Sequence, residues 1–305
     1  MQRLKGESMK SKWIKILVWL GVMSVLTAVA MFTWRVACDG SKETASLKWL
    51  QLLQTFGTFL LPPIICAWLW DDDHKPFTWL GITRGANWKV FGLAVVIMIC
   101  AVPGINLLAD LNSRVVLPKS LEFIEEFLRA QEDAAAVLTE QFLKTDSVWG
   151  LLINIGLLAL LPAMAEELSF RGTLQQIISD GQRVNAQYTK VHVAIWVTAI
   201  VFSAIHMQFY GFVPRMLMGA LFGYVFVWTG SLWVPIVMHF TNNGLAVLCY
   251  YLFDEIGENE KSWADTIGAG STWWLGVISL IVVCGLVWLI RVQGQREYVR
   301  RTHIQ

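Results

Sequence analysis

The chain has little charge for its length, and this scarcity sets the first limit on what it can be. Only 15% of its 305 residues are charged, whereas 55% are hydrophobic and 12% are aromatic. A single soluble domain of this size needs a more polar composition to cover its surface. The net charge is +1, and basic residues cluster only at the two ends, so nothing indicates a nucleic-acid partner.

Cysteine pairs are also missing. The five cysteines are scattered through or beside apolar stretches, and no two of them form a Cys-x-x-Cys pair; they are Cys38, Cys66, Cys100, Cys249 and Cys284. This pattern suggests neither a disulfide framework nor a thiolate zinc site. We interpret the cysteines as small apolar side chains.

The chain does have long apolar stretches, close to the roughly 20 residues that cross a bilayer as a helix. These stretches cover residues 14–33, 49–70, 90–109, 149–170, 193–212, 214–230, 232–252 and 272–290. The first follows basic residues as a signal peptide would, but its apolar stretch is longer than that of a usual signal peptide, so we expect a retained anchor. The predicted fold class is all-α, a polytopic membrane protein with about eight transmembrane helices.

The basic residues predict the orientation of these helices. Of the 24 Lys and Arg residues, 15 lie in segments on the same side as both termini. The positive-inside rule then places both termini in the cytoplasm. We expect a cytoplasmic N-terminal tail at 1–13, one membrane domain at 14–290 and a basic cytoplasmic tail at 291–305.

Residues 113–147 are too polar to cross the bilayer, although apolar side chains recur there at helical spacing. This pattern predicts one or two amphipathic helices at the outer surface. A simple connector and a lid or partner-binding segment are both open interpretations.

Three short motifs place polar side chains inside apolar stretches. They are Glu166-Glu167-Leu168-Ser169-Phe170-Arg171, Phe202-Ser203-Ala204-Ile205-His206 and His239-Phe240-Thr241-Asn242-Asn243. An ionisable group costs about 3 kcal/mol at the centre of a membrane helix, so such groups are rare there and usually functional. On a helix Glu167 lies one turn before Arg171 and can pair with it, whereas Glu166 points about 100° away.

These residues together suggest hydrolytic chemistry. Glu166 could act as a general base that activates water, with His206 as the imidazole beside it. His239 and Asn243, four residues apart on one helix face, could donate hydrogen bonds to a developing oxyanion. This set suits a peptide hydrolase without a covalent nucleophile.

The motifs Glu-Glu-x-x-x-Arg, Phe-x-x-x-His and His-x-x-x-Asn, in this order on separate apolar segments, resemble the CPBP family of intramembrane proteases. This family, also called ABI, includes CAAX proteases and bacteriocin-processing enzymes, and the motif-bearing protease core spans residues 150–252. The resemblance implies that Glu166 activates water with His206, that His239 and Asn243 bind the oxyanion, and that Glu167 and Arg171 give support. Phe202 would line the cavity.

The resemblance also implies the setting: the lipid bilayer, a peptide or lipidated-protein substrate, and the bacterial inner membrane as the location. Prenylated C-termini, leader peptides and membrane regulators would all fit as substrates. Two histidines and a carboxylate form a known catalytic zinc set, so Glu166, His206 and His239 could hold zinc, although the chain has no His-Glu-x-x-His. Glutamate-dependent and metal-dependent hydrolysis both stay open.

Two other classes of function remain. The chain could be a catalytically inactive immunity or scaffold protein that keeps the fold and binds a peptide. It could also be a proton-coupled transporter in which Glu166 and the histidines relay protons. A transporter predicts halves related by an internal repeat, and the sequence shows no such symmetry.

Overall fold

The computed structural model of the protein describes residues 9–71, 73–180, 188–253 and 266–302. Within these ranges every regular element is helical, which confirms the all-α prediction. Numbered along the chain, the α-helices are α1 Met9–Cys38, α2 Thr44–Gln54, α3 Leu61–Trp70, α4 Pro76–Leu80, α5 Trp88–Ser113, α6 Glu122–Leu143, α7 Val148–Asn154, α8 Leu161–Ser169, α9 Gln176–Ser179, α10 Tyr188–Ala204, α11 Phe212–Thr229, α12 Trp233–Phe253 and α13 Trp273–Thr302.

Seven helical spans in the described part are long and apolar enough to cross a membrane. They are Lys12–Cys38, Thr44–Trp70, Trp88–Ser113, Val148–Ser179, Phe209–Thr229, Trp233–Phe253 and Gly270–Arg296. The remaining predicted segment, 193–212, is largely α10, an apolar helix of 17 residues. At 1.5 Å per residue α10 is about 26 Å long, slightly less than a hydrocarbon core of about 30 Å. The chain is an all-α polytopic integral membrane protein.

Two of the spans are single long helices interrupted by π-helical turns. These turns are Thr55–Leu60 between α2 and α3, Ile155–Leu160 between α7 and α8, and Phe170–Gln175 between α8 and α9. Pro62 and Pro162 follow the first two turns. Proline lacks an N–H and clashes with the carbonyl one turn earlier, and a wider turn makes room for its ring. The third turn directly follows the carboxylate pair of α8.

Buried apolar side chains join the helices on the inside. The largest buried cluster comes from α5, α11, α12 and α13: Val90, Ala94, Ile97, Met98, Phe222, Val225, Val234, Met238 and Ile290. The outward faces are apolar as well, since Phe32, Ile281 and Trp288 are each more than 60% exposed. Such extensive exposed apolar surface is stable when lipid covers it.

The amphipathic segment forms one helix, α6, whose last turn buries Phe142. At its start Glu125 accepts hydrogen bonds from Arg129 and from the Leu117 N–H, and these bonds hold the pKa of the Glu125 carboxyl below its ordinary value. Farther along, Arg129 stacks on the Tyr210 ring, 4.4 Å from its centroid. Helix α6 therefore covers the turn between α10 and α11. Residues 254–265, between α12 and α13, lie outside the described residues.

Gly57, in the first π-helical turn, lets α1 approach closely. A Cβ atom at Gly57 would lie 2.7 Å from the Leu26 carbonyl oxygen, whereas a Cβ at Gly21 on α1 would meet nothing within 4 Å. Beside this contact, the hydroxyls of Thr27 and Thr58 hydrogen bond at 2.8 Å. The backbone of α1 has to shift if Gly57 gains a side chain.

We expect Gly57→Ala to lower the free energy of unfolding by about 1–3 kcal/mol, the usual effect of overpacking. The matched control Gly21→Ala should be neutral or stabilising by up to about 1 kcal/mol, because alanine favours a helix over glycine. Thermal unfolding in detergent measures both variants. Equal stability of the two would contradict the close contact.

Candidate active site

Glu167 and Arg171 form a buried ion pair inside the bundle. Arg171 Nη1 lies 2.6 Å from Glu167 Oε1, and both side chains are 0% exposed. The two residues thus form the ion pair that their spacing of one helical turn predicts, even though a π-helical turn begins between them. Because a buried charge is strongly unfavourable without a partner, the pair fixes both side chains in place.

Three groups hold the Arg171 guanidinium from the other side. Its Nη2 donates to the Gly219 carbonyl oxygen of α11 at 2.8 Å. Phe202 and Phe222 lie against it, with ring centroids 4.7 and 5.4 Å from Cζ. A Cβ on Gly219 would lie 3.3 Å from that same Nη2. Gly219 thus provides both a close helix approach and an acceptor for Arg171.

His239 of α12 stands between the two neighbouring carboxylates. Its Nδ1 lies 2.9 Å from Glu167 Oε1, and its Nε2 lies 3.9 Å from Glu166 Oε2. The ring stacks on Phe222, with centroids 5.5 Å apart, and meets Phe202 edge-on. Glu167 Oε1 already accepts from Arg171, and a carboxylate only accepts hydrogen bonds. We assign a proton to His239 Nδ1 on this basis.

Glu166 has a different environment from Glu167. Its side chain is 14% exposed, yet its Oε2 is buried and has no hydrogen-bond partner. The nearest described partner is His239 Nε2, which is beyond hydrogen-bond distance. Glu166 therefore presents an acceptor oxygen with nothing bound to it, as the helical geometry predicts for the carboxylate that points away from Arg171.

His206 lies in the turn that follows α10. Its Nδ1 is 2.8 Å from the Phe202 carbonyl oxygen, and its ring packs edge-on against the Phe202 ring. Because a carbonyl only accepts, Nδ1 must carry the proton, which leaves Nε2 as the acceptor of a neutral ring. No hydrogen bond joins His206 to Glu166 in the described part of the chain; His239 is the imidazole closest to it.

Asn243 lies one turn after His239 on α12. Its Oδ1 accepts a hydrogen bond from Asn242 Nδ2 at 3.2 Å, which leaves its own NH₂ group as the donor end. Phe202 packs with Phe170 and Leu174 in a buried cluster and forms a wall of the site next to both histidines. The structure thus brings Glu166, Glu167, Arg171, Phe202 and His239 into one contact network.

The residues named as a zinc set do not form one here. Among the described residues, no three His, Cys, Asp or Glu side chains lie together closely enough to hold a metal ion. His206 Nδ1 is already engaged by a backbone carbonyl, and His239 Nδ1 by Glu167. The donor set as arranged does not fit a three-ligand metal site.

Two residues of this region are missing from the sequence-based site. Phe222, which stacks on His239, looks like any apolar residue of α11, and no sequence signal separates it from the core. Arg215 interacts electrostatically with Glu166 and Glu132. An arginine inside an apolar segment is itself a signal, the same one that singled out the three motifs.

Helical spans, two neighbouring carboxylates and two histidines define a class of protein: an integral membrane protein with a polar centre inside its helix bundle. Residues 137–245 match the sequence model of a family described as "Rce1-like: Type II CAAX prenyl endopeptidase Rce1-like". The resemblance to CAAX-type intramembrane proteases is thereby confirmed for the third of the chain that carries the motifs. At family level, this relationship supports a protease.

The chain is also similar to a curated protein, the uncharacterized protein YpbD of Bacillus subtilis (strain 168). The two are 32% identical over 91 residues, which are 28% of this chain and 40% of YpbD. The similarity thus spans less than half of the relative's length. No solved structure matches the chain significantly.

We expect Arg171→Met to lower the free energy of unfolding by about 3–5 kcal/mol, because it leaves Glu167 buried and unpaired. The matched control is Arg114→Met, since Arg114 is 62% exposed and pairs with Asp110 one turn away. An exposed pair of this kind contributes about 1 kcal/mol or less. Denaturant unfolding in detergent compares the two variants; similar losses would contradict the structural importance of the buried pair.

Proposed function

We propose that the protein is an intramembrane endopeptidase that hydrolyses a peptide bond with a water molecule activated by Glu166. The observation that carries this proposal is the buried Glu166 oxygen without a partner. It lies beside the His239 imidazole, whose other nitrogen is hydrogen bonded to Glu167. A carboxylate in such a low-dielectric site is a strong hydrogen-bond acceptor for water. The family match supports the reaction class.

In the first step Glu166 takes a proton from the water while the water oxygen attacks the carbonyl carbon of the scissile bond. The carbonyl electron pair moves to its oxygen, which becomes an oxyanion. When the intermediate collapses, the C–N bond breaks and the proton on Glu166 passes to the leaving nitrogen. The products are a carboxylic acid and an amine, and Glu166 returns to its carboxylate form.

His239 and Asn243 form the oxyanion side. Because His239 Nδ1 donates to Glu167, the ring can donate from Nε2 only when that nitrogen is protonated too. The donor role therefore requires an imidazolium at His239, whose charge the two neighbouring carboxylates balance. Asn243 adds an uncharged donor through its NH₂ group. Each oxyanion donor of this kind contributes about 10²–10³-fold in kcat.

Arg171 and Glu167 have a positioning role in this mechanism. Arg171 fixes Glu167, and Glu167 fixes the ring and the tautomer of His239. His206 supplies an acceptor at Nε2 that can hold the second hydrogen of the attacking water. No step in this sequence passes through a metal ion.

The substrate in this proposal is a peptide or a lipidated protein that reaches the site from the bilayer. Prenylated C-termini and leader-type peptides have the required apolar character. We further propose that the protein resides in a bacterial inner membrane with both termini in the cytoplasm, which the distribution of Lys and Arg supports.

We expect Glu166→Gln to lower kcat for peptide hydrolysis by about 10²-fold or more, because the amide cannot accept the proton of water. The assay uses purified protein in detergent and a panel of quenched-fluorescent peptides that includes prenylated ones. Glu126→Gln is the matched control, since Glu126 is exposed on α6. Unchanged cleavage by Glu166→Gln would contradict the mechanism, and absence of cleavage in wild type would favour a binding or scaffold protein.

A second experiment tests the metal-free form of the mechanism. We expect cleavage by the wild-type protein to persist after treatment with a strong chelator, because only side chains of the chain act in it. A loss of activity that added zinc reverses would contradict this form and point to a rearranged Glu166, His206 and His239 as ligands.

A further inference from the structure

Arg215 takes no part in the mechanism above, although its charge is within electrostatic range of Glu166. It lies in the first turn of α11, directly after the turn that carries His206. Its charge interacts with those of Glu166 on α8 and Glu132 on α6, and with His206. Acidic charges on two other helices, α8 and α6, thus act on Arg215.

The local chain holds this guanidinium in one position. Its Nη2 donates to Gln208 Oε1 at 2.6 Å. A Cβ at Gly211 would lie 3.1 Å from Nη2 and 3.5 Å from Nη1, so the absence of a side chain there leaves room for the guanidinium. Gln208 and Gly211 thus fix the plane of the fork.

One of the two terminal nitrogens of the Arg215 guanidinium has no partner. Arg215 Nη1 is buried and makes no hydrogen bond within the described part of the chain. Glu132, whose Oε2 accepts from the Tyr210 N–H at 3.3 Å, makes no described hydrogen bond to it. A buried charged donor without a partner is unfavourable, so it needs an explanation, and a bound ligand is one.

We propose that Arg215 binds a carboxylate of the peptide substrate and so selects which peptides are cleaved. This inference rests on the proposed peptidase function. A guanidinium offers parallel N–H donors that match a carboxylate, whereas a peptide carbonyl can use only one of them. A substrate peptide carries such a group in two places, at its C-terminus or on an Asp or Glu side chain near the scissile bond.

The position of Arg215 also allows two negative groups, the base Glu166 and a carboxylate of the substrate, to be present together. Glu166 has to act as a base, and a substrate carboxylate next to it would be repelled. Arg215 interacts with Glu166 electrostatically without bonding to it, and its bound fork nitrogen is turned to Gln208. Arg215 can therefore balance the negative charge of a substrate carboxylate, and Glu166 stays available to accept a hydrogen bond from the water.

The test uses a peptide that the wild-type protein cleaves, in four versions. The C-terminus is either free or amidated, and an Asp near the scissile bond is either kept or replaced by Asn. We expect one of these neutralisations to lower kcat/KM at least about tenfold, mainly through KM, as loss of a charged hydrogen bond does. The version that fails identifies the source of the carboxylate.

Arg215→Gln should remove this discrimination, so that charged and neutral peptides are cleaved alike. Arg215→Lys keeps the positive charge but loses the paired N–H donors of the guanidinium, so it should retain part of the discrimination. This variant also serves as the test if Arg215→Gln does not fold. Arg114→Gln, which changes an exposed arginine, should behave as the wild-type protein does.

Each outcome separates this inference from the function on which it rests. Wild-type discrimination that persists in Arg215→Gln, or wild-type cleavage of all four peptides at equal rates, would overturn the role of Arg215 alone. If wild type cleaves no peptide, or Glu166→Gln is fully active, the proposed mechanism fails and the substrate inference fails with it.

Discussion

The buried ion pair between Glu167 and Arg171 is the constraint on which the polar centre depends. Neither charge can be left alone in an apolar bundle, so each must meet the other with good geometry. Arg171 then needs a second acceptor, and the Gly219 carbonyl of α11 provides it. Glu167 needs a second donor, which comes from His239 of α12. One ion pair thereby sets the position of α8 relative to α11 and α12, which lie about 40 or more residues later in the chain.

This constraint also explains why two adjacent carboxylates differ in their surroundings. Glu167 is committed to Arg171 and His239, and it cannot take up another ligand on the same oxygen. Glu166 points elsewhere on the helix and makes no hydrogen bond within the described residues, whereas Glu167 has its Oε1 bonded and only its Oε2 without a partner. Neighbouring carboxyl groups with contrasting environments are how many hydrolases divide acid, base and structural roles between similar side chains. In this protein the division follows from helix geometry.

Helical periodicity accounts for the features that the sequence predicted well. The pairing of Glu167 with Arg171 depends on one turn of one helix, and the apolar stretches depend on bilayer thickness, so both were predictable. The bond between Glu167 and His239 joins residues 72 positions apart, and no local pattern specifies it. For the same reason the sequence did not single out His239 as the imidazole that lies 3.9 Å from Glu166, and the closeness of His206 to Glu166 stays a prediction. The segment predicted at 193–212 ends earlier in the structure, at Ala204, because its apolar pattern continues into the turn that follows α10.

The central claim is that water, and not a side chain, attacks the substrate. The most direct measurement is cleavage by the wild-type protein in the presence of a strong amine nucleophile, with analysis of the new C-terminal products by mass spectrometry. Direct attack by water predicts only free carboxylic acid, labelled with one oxygen-18 atom when the solvent is oxygen-18 water. Transfer of the acyl group to the added amine would reveal a covalent acyl-enzyme and contradict the account.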